Sequence, residues 1–304
     1  MRKIIVLSGA TASGKSRASL HLCEIFPDTF EIVSADSIQI YRYLDIGSSK
    51  PEKSDLQKVK HHLIDIVDPS YPYKASDFVS DALSASEDIL SRGKIPLFVG
   101  GSGMYLEAFF EGLSVTPEAS SLIIQQIQNE GNLMGWDSMH EQLMEIDPDA
   151  AKKIHSNDWQ RITRALSVFR ASGRRISEYW GKRTPKISGD FLFIRLEAER
   201  DKLYDAINRR VDEMVEKGFV DEVVKLLSMG YDEKSPSMNS IGYSQIIKYL
   251  KGELSLDYAV EMIKHDTRRY AKKQIIWMRR KDYYLPFDFR DYCGISEKVS
   301  EFIK

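Results

Sequence analysis

Short apolar runs alternate with amphipathic segments over the first hundred residues. A continuous apolar run occupies 3–7, similar mostly apolar runs occupy 30–34 and 95–99, and a segment at 62–67 is a further, shorter candidate strand. Runs of this length, rich in β-branched residues, are typical of strands buried on both faces of a parallel sheet. Residues 75–92 between them repeat apolar side chains at helical spacing. The alternation predicts an α/β fold, with a parallel-sheet core and helices on both faces.

The pattern changes after about residue 115. Residues 116–187 show helical periods and no convincing strand, and residues 191–196 return to strand character. From residue 199 onward the pattern is again mostly helical. We therefore predict a core formed by residues 1–115 and 188–304, interrupted by an all-helical insertion domain over residues 116–187.

A glycine-rich loop follows the first predicted strand and precedes a predicted helix. It matches the phosphate-loop pattern GxxxxGK[ST] in full, in the strand–loop–helix context that the motif requires. Backbone N–H groups of such a loop point at a phosphate, the lysine adds a point charge, and the last hydroxyl suits Mg²⁺. The loop predicts a phosphate or diphosphate site, with Ser16 as a Mg²⁺ ligand, at Gly9, Ala10, Thr11, Ala12, Ser13, Gly14, Lys15 and Ser16.

The carboxylate nearest to this loop in the pattern is Asp36. A nucleotide hydrolase with a phosphate loop normally holds Mg²⁺ with an aspartate at the end of an apolar strand. The strand at 95–99 instead ends at Gly100 and Gly101, whereas the strand at 30–34 is followed by Asp36. Asp36 could therefore be a metal ligand or a base, and the pattern alone leaves both roles open.

Composition restricts the class of protein. The chain has 304 residues, of which 42% are hydrophobic and 29% charged, which is globular composition and excludes a disordered chain. The two cysteines form no CxxC pair, so we expect neither a zinc site nor a disulfide framework. The apolar runs are much shorter than the roughly 20 residues of a membrane span. We expect a cytoplasmic protein without a membrane partner.

The formal net charge of −2 is unevenly distributed along the chain. Residues 157–186 contain eight Lys or Arg against two acids, and residues 264–281 contain eight against one. Asn157 and Gln160 are spaced to cap a helix on which Arg161 and Arg164 share one face. One such helix alone is more often a solvated surface, but two basic segments beside a phosphate loop favour contact with a nucleic-acid backbone.

Seven blocks of the chain, in order, resemble one family. They are GATASGKS (9–16), SADSIQIYRYLDIGSSKP (34–51), HHLIDIVDP (61–69), FVGGSGMYL (98–106), IHSNDWQRITRALSVFRASGR (154–174), SIGYSQ (240–245) and RRYAKKQIIWMRR (268–280). Together the blocks resemble the tRNA dimethylallyltransferases, also called tRNA isopentenyltransferases. The phosphate loop alone is shared by many functions, whereas the second and fifth blocks are specific to this family and its close relatives.

The resemblance implies an activity. The family transfers a dimethylallyl group from dimethylallyl diphosphate to the N6 amine of the adenine on the 3′ side of a tRNA anticodon. It implies Mg²⁺ as cofactor and the tRNA anticodon stem-loop as partner. We expect a monomer, although the sequence does not determine the oligomeric state. The loop would then hold a prenyl diphosphate, and no second acid after the strand at 95–99 would be needed.

The resemblance also implies site residues. Asp36 matches the acid that accepts the amine proton or holds it for abstraction, Thr11 matches a position near the bridging oxygen of the leaving group, and Lys15 completes the catalytic set. Arg210 matches an arginine directed at the diphosphate. The positions that match tRNA contacts are Asp36, Ser37, Ile38, Gln39, Ser102, Gln160, Arg161, Ile162, Thr163 and Arg164. The chain departs from the family at 117–124, where a tRNA-contacting arginine is often found and this sequence has PEASSLII.

Two other functions fit part of this pattern. An adenylate isopentenyltransferase uses the same donor on free AMP, ADP or ATP, but it does not need a helical insertion with a basic face. A small-molecule kinase, or a non-catalytic nucleotide-dependent RNA-binding protein, would require ATP to bind tightly to the phosphate loop. The transferase acting on tRNA accounts for the largest number of blocks.

Overall fold

The computed structural model describes residues 2–114, 116–181 and 183–304, so Met1, Val115 and Lys182 lie outside the described residues. The chain divides into two compact units. The first comprises Met1–Phe110 and Lys186–Lys304, and the second comprises Glu111–Pro185. Along the chain, the second unit therefore interrupts the first.

The elements follow one another in a regular order. The first unit begins with β1 (Lys3–Gly9), α1 (Lys15–Ile25), β2 (Phe30–Ser34), α2 (Lys53–Lys58), β3 (His61–His62), α3 (Ala75–Ser91), β4 (Ile95–Gly100) and α4 (Gly103–Phe110). The second unit contains β5 (Leu113–Ser114), α5 (Ser121–Met134), α6 (Trp136–Ile146), α7 (Pro148–Ala151), α8 (Trp159–Ser172) and β6 (Arg183–Thr184). The first unit resumes with β7 (Asp190–Glu197), α9 (Arg200–Glu216), α10 (Phe219–Ser228), α11 (Tyr243–Leu250), α12 (Leu256–Arg279), β8 (Leu285–Asp288) and α13 (Tyr292–Ile303). Among the described helices, none is both long and apolar enough to span a membrane.

A six-stranded parallel sheet organises the described part of the first unit, in the order β3-β2-β4-β1-β7-β8. Ile5 of β1 lies opposite Leu97 of β4 on one side and Leu192 of β7 on the other. Because all strands run the same way, the carboxyl ends of β1, β2 and β4 meet at one edge of the sheet. In open α/β sheets this edge is where ligands bind.

Both faces of the sheet are covered, as predicted. Ile5 and Leu7 of β1 belong to a buried cluster with Leu22 of α1 and Val299 of α13. On the opposite face, the ring of Phe98 in β4 contacts the rings of Phe109 and Phe110 at the end of α4. The alternation of side chains along a strand explains why a continuous apolar run is needed for a sheet buried on both sides.

The described part of the second unit is built mainly from helices α5, α6 and α8. Ile127, Met139, Leu143 and Leu166 are fully buried and form its core. The β5 and β6 strands pair antiparallel through two residues each, Leu113 with Thr184 and Ser114 with Arg183. These two short strands were not predicted, because a two-residue pairing leaves no periodic pattern in the sequence.

The strand predicted at 62–67 is wrong over most of its length. The strand ends at His62, because Leu63 and Asp65 have positive φ angles of 62° and 57° that interrupt an extended chain. The backbone of 65–67 instead bonds to the loop after β2, where Ile66 N donates to the Ile40 carbonyl at 2.9 Å. The apolar side chains Ile66 and Val67 pack against a cluster formed by the loop after β2 and helices α9 to α12, rather than in the sheet.

Strand β8 was not predicted, since residues from 199 onward have mainly helical periods. It pairs parallel with β7, with Leu285 opposite Ile194 and Pro286 opposite Arg195. A proline is tolerated there because β8 is the edge strand of the described sheet and its outer side needs no donor.

The predicted cap of α8 is also wrong. Asp158, rather than Asn157, is the N-cap, and its side chain accepts a hydrogen bond from the Arg161 N–H at 3.2 Å.

Candidate active site

The phosphate loop connects β1 to α1 at the carboxyl edge of the sheet. Gly14 precedes the helix with φ of 81°, a left-handed conformation that glycine adopts without strain. Ala12 has a φ of 60°, which is uncommon for a residue with a side chain and marks a strained loop. The Lys15 ammonium group donates hydrogen bonds to the carbonyls of Gly9 at 3.0 Å and Ala10 at 2.7 Å. These two hydrogen bonds fix the position of the Lys15 ammonium group beside the loop.

The electrostatic environment of Lys15 is unusual for a lysine. Burial and, to a smaller extent, the guanidinium group of Arg210 together lower the pKa of Lys15 to about 8, while Asp36 opposes the shift. Burial also lowers the pKa of Arg210, which Asp36 again opposes. Two cations and one carboxylate therefore influence one another at this edge of the sheet. An anion bound here would relieve the repulsion between the two cations.

Asp36 follows β2 and is fixed by its own backbone. One of its carboxylate oxygens, Oδ1, accepts hydrogen bonds from the N–H groups of Ile38 at 2.8 Å and Gln39 at 3.3 Å. This Asx turn orients the side chain without using the second oxygen. No described residue donates a hydrogen bond to that second oxygen. Asp36 thus combines a fixed position with a free acceptor.

Thr11, Asp36 and Arg210 line one cavity of about 250 Å³ in the first unit. A large part of the remaining wall is apolar, and its side chains come from the loop after β2 and from α9, α10 and α12. These side chains are Ile38, Val211, Met214, Phe219 and Ile263. The cavity therefore joins a charged region suited to a phosphate group to an apolar region suited to a hydrocarbon.

Gly47 and Ser48 form part of the cavity wall, in a loop that Glu222 of α10 holds. The Glu222 carboxylate accepts hydrogen bonds from the backbone N–H groups of Asp45, Ile46 and Gly47 at 2.6–3.1 Å, and from the Tyr243 hydroxyl at 2.7 Å. The next residue, Ser48, offers its carbonyl to Arg210 at 3.4 Å. A single carboxylate therefore satisfies three consecutive backbone N–H groups of this loop.

Comparison with protein families identifies the chain. The model of the IPP transferase family matches residues 39–281, most of the chain, and the isopentenyl transferase model matches residues 2–68. The chain belongs to the IPP transferase family. It is accordingly an enzyme of the transferase class.

Relatives of this transferase match it over nearly the full chain. The tRNA dimethylallyltransferase of Thermotoga maritima is 42% identical over 304 residues, covering 99% of this chain and 98% of the relative. That of Thermoanaerobacter sp. (strain X514) is 39% identical over 306 residues, covering 99% and 96%. Among solved structures, the full-length tRNA isopentenylpyrophosphate transferase of Bacillus halodurans matches with a TM-score of 0.73 and 34% identity, covering 100% and 97%. A eukaryotic dimethylallyltransferase acting on tRNA matches with a TM-score of 0.79 and 28% identity, covering 99% and 77%.

The predicted residues around Asp36 come together in this transferase. Ser37 and Ile38 line the cavity with Asp36. Ser102 lies beside them, because its hydroxyl accepts a hydrogen bond from the Ser37 N–H at 3.1 Å. Gln39 does not line the cavity. Its side-chain amide instead donates to the carbonyl of Ser49 at 3.1 Å, so it holds the loop that follows β2.

The predicted RNA-contact stretch at 160–164 lies in α8 of the second unit. Gln160, Arg161 and Arg164 are exposed. Ile162 is fully buried in the core of that unit and Thr163 is 6% exposed, so neither side chain is accessible to RNA in this structure. Helical geometry explains the division, since residues 161 and 164 share one face and residues 162 and 163 point elsewhere. Lys182 of the same basic segment lies outside the described residues.

Sequence reasoning missed the inner face of α12. Its residues 264–281 were selected for their charge, but Ile263, Thr267 and Tyr270 line the cavity. The next residue at the same spacing, Gln274, is buried and touches the phosphate loop. Burial raises the pKa of the Tyr270 phenol to about 12. The signal was available, because 263, 267, 270 and 274 are spaced by four, three and four residues and form one face of a helix.

The described residues contain no cluster of three or more His, Cys, Asp or Glu side chains able to hold a metal ion. A bound phosphate group would supply oxygen ligands to a divalent cation at this site. Ser16 is exposed in the first turn of α1 and is available for this purpose. Mg²⁺ is often bound in this way, through few protein groups together with substrate phosphates.

Proposed function

We propose that this transferase moves a dimethylallyl group from dimethylallyl diphosphate to the N6 amine of the adenine on the 3′ side of a tRNA anticodon. The observation that carries the proposal is the cavity in which Thr11, Asp36 and Arg210 meet beside an apolar wall. Relatives about 40% identical over nearly the whole chain, named tRNA dimethylallyltransferase, support the same reaction.

The donor fits the two parts of the cavity. The diphosphate would lie against the phosphate loop, where Lys15 and Arg210 neutralise its charge. The dimethylallyl group would lie against apolar side chains such as Met214 and Phe219. Charge that develops on the departing diphosphate is then stabilised by groups already in place, which lowers the barrier most effectively in a site with little water.

The acceptor requires a base. As the bond between carbon 1 of the dimethylallyl group and the bridging oxygen breaks, a bond forms between that carbon and the adenine nitrogen. The nitrogen then loses one proton, and the free carboxylate oxygen of Asp36 accepts it. The hydroxyl of Thr11 would donate a hydrogen bond to the bridging oxygen. Diphosphate and prenylated adenine are the products.

Mg²⁺ belongs to the proposal as a cofactor. The hydroxyl of Ser16, together with oxygens of the diphosphate, would hold it. The ion would supply positive charge to the leaving group. The exposed Gln160, Arg161 and Arg164 would contact the tRNA, and the adenine would have to leave its stack to reach the cavity. We also propose that the enzyme acts as a monomer, which light scattering of the purified protein at working concentration checks.

The test is a transfer assay. The full chain is incubated with Mg²⁺, dimethylallyl diphosphate and an unmodified tRNA whose anticodon is followed by adenines. The mass of the tRNA is then measured by mass spectrometry. The expected result is a gain of one isoprene unit on the adenine beside the anticodon. A parallel reaction with AMP, ADP or ATP as acceptor is expected to give no product. Transfer to the free nucleotides with none to tRNA would refute the proposal.

A further inference from the structure

The side chain of Gln274 joins two loops of the first unit. It lies on the inner face of α12 and is 7% exposed. Its Oε1 atom accepts a hydrogen bond from the backbone N–H of Thr11 at 2.8 Å. Its Nε2 atom donates to the carbonyl of Gly101 at 2.9 Å. A single amide thus links the phosphate loop after β1 to the loop after β4.

The loop after β4 is shaped to admit this amide. A Cβ atom added to Gly101 would lie 2.3 Å from Gln274 Nε2 and 2.9 Å from the Gly9 carbonyl oxygen. Any side chain at 101 would therefore displace the glutamine or the phosphate loop. Gly101, which stands near the end of β4 where a nucleotide hydrolase would have an acid, therefore leaves the space that Gln274 and the phosphate loop occupy.

The same framework also holds Asp36. The residue before it, Ala35, donates its N–H to the Val99 carbonyl at 2.8 Å and accepts a hydrogen bond from the Ser102 N–H at 3.2 Å. Gly101 lies between those two partners in the chain. The hydrogen bonds of Gln274 therefore connect Thr11 to the end of β4, which in turn fixes Asp36. The amide of Gln274 thus helps to set the distance between Thr11 and Asp36.

We propose that Gln274 is a positioning residue for the transfer reaction, which orients Thr11 relative to Asp36 by holding the Thr11 N–H. The proposal rests on the proposed function, because it assigns Thr11 a hydrogen bond to the leaving group. Gln274 acts through Thr11 and does not itself line the cavity. Misplacing a reacting group by about 1 Å costs on the order of 100-fold in rate, which sets the expected size of the effect.

The primary variant is Gln274→Met, which keeps the volume and removes the hydrogen bonds to Thr11 and Gly101, together with the interaction between the amide and the Tyr270 phenol. We expect kcat for prenyl transfer to fall about 10- to 100-fold, with KM for tRNA unchanged, since the substitution removes none of the exposed groups that are proposed to contact the tRNA. Hydrogen exchange of the Thr11 amide is expected to become faster, because its acceptor is gone. A general loss of stability would instead lower the amount of active enzyme without a selective effect on kcat.

A double-mutant cycle with Thr11→Ala tests whether Gln274 acts through Thr11. The threonine hydroxyl is absent in that background, so the additional effect of Gln274→Met on kcat is expected to shrink to less than about threefold. Equal losses in both backgrounds would overturn the proposal. An unchanged kcat in Gln274→Met alone would overturn it as well.

Gln274→Glu gives a readout that a purely structural residue would not. A protonated carboxyl can accept from Thr11 N–H and donate to the Gly101 carbonyl as the amide does, whereas an ionised one cannot donate. We expect the activity of this variant, relative to wild type, to recover as the pH falls through the pKa of the introduced carboxyl. A ratio that is constant with pH would contradict the proposed hydrogen bonds.

Gln245→Met is the matched control, since Gln245 is another buried glutamine whose amide joins two elements. It accepts from Gly242 N–H at 2.8 Å and donates to Asp266 at 2.9 Å, away from the phosphate loop. Any effect of this substitution on kcat is expected to be the same with and without Thr11→Ala. If the wild-type enzyme transfers no prenyl group, the proposed function and this role are overturned together. If transfer is normal and the cycle is additive, only the role of Gln274 is overturned.

Discussion

At Asp36 the two carboxylate oxygens have different tasks. One accepts the N–H groups of Ile38 and Gln39 and fixes the turn, and the other has no described donor. Asp36→Asn retains an acceptor for the turn but cannot take a proton. We expect it to lower kcat by about 10²- to 10⁴-fold, the usual contribution of a general base, with tRNA affinity within a factor of two or so of wild type.

Steady-state transfer rates and tRNA binding by filter retention measure the two quantities. Asp36→Ala, which removes the turn acceptor as well, is expected to lose at least as much activity. A kcat of Asp36→Asn close to that of wild type would show that Asp36 is not the base.

The pKa of Lys15, lowered by burial and by Arg210 to about 8, predicts a pH dependence. Lys15 carries its charge below that pH and loses it above. The affinity for inorganic diphosphate is therefore expected to fall as the pH rises from 7 to 9.5, by up to about tenfold per unit above pH 8.

Isothermal titration with inorganic diphosphate measures this dependence, with uptake of a proton expected near pH 8 because the bound anion raises the pKa of Lys15. The control is Lys15→Met, which should bind more weakly at pH 7 and show no decline between pH 8 and 9.5. A wild-type affinity that is flat over that range would contradict the lowered pKa.

At the scale of the element, α8 shows how a cap determines what a helix exposes. Asp158 starts the helix by accepting from Arg161 N–H, and the register that follows puts Arg161 and Arg164 outside and Ile162 inside. We expect Asp158→Ala to lower the free energy of unfolding by about 1 kcal/mol, the usual cost of removing an N-cap.

Denaturant unfolding, together with hydrogen exchange of the amides at 160–163, checks this expectation. Asp158→Asn keeps a capping oxygen and is expected to stay close to wild type. Asn157→Ala is the second control, because Asn157 does not cap the helix. Equal destabilisation by the two alanine variants would argue against the cap at Asp158.

Helix α12 has two chemically different faces. Its charge suggested an RNA-binding helix, and the exposed Arg269, Lys272 and Lys273 agree with such a surface. The inner face instead supplies Tyr270 to the cavity and Gln274 to the phosphate loop. A pattern of charged residues indicates only the face of a helix that is exposed to water. It does not indicate the roles of the neutral residues on the other face.

At the scale of the whole molecule, the net charge of −2 conceals two segments with a large excess of cations. Outside residues 157–186 and 264–281, acids outnumber basic residues by 42 to 27. We therefore expect tRNA binding to weaken steeply with salt, since each phosphate contact releases counterions.

The salt dependence can be assigned to particular residues. Replacing Arg161 and Arg164 together by Gln is expected to reduce the slope of log affinity against log salt by about two, one for each lost phosphate contact. Lys298→Gln, which removes a surface charge from α13 outside both basic segments, is expected to leave the slope unchanged. A double variant with the wild-type slope would show that α8 does not contact the tRNA backbone.

Local patterns were sufficient for the architecture and the family. Mostly apolar runs predicted β1, β2, β4 and β7 because strands buried on both faces carry few polar side chains, and the prediction of a parallel α/β core is confirmed. The seven blocks predicted the family, which the comparisons confirm. The site residues predicted from those blocks remain predictions, although Thr11, Asp36 and Arg210 do line one cavity.

Long-range contacts determine the structural features that local sequence patterns did not predict. The sequence pattern predicts a strand at Ile66 and Val67. The structure places both residues outside the sheet, because positive φ angles occur just before them and their backbone bonds to a loop more than 20 residues away. Gln274 is 263 residues from Thr11, and Glu222 is more than 170 residues from the loop it holds. A sequence records which residues repeat at helical or strand spacing because those spacings are local. It does not record which distant polar groups satisfy one another, because that depends on how packing brings separate elements together.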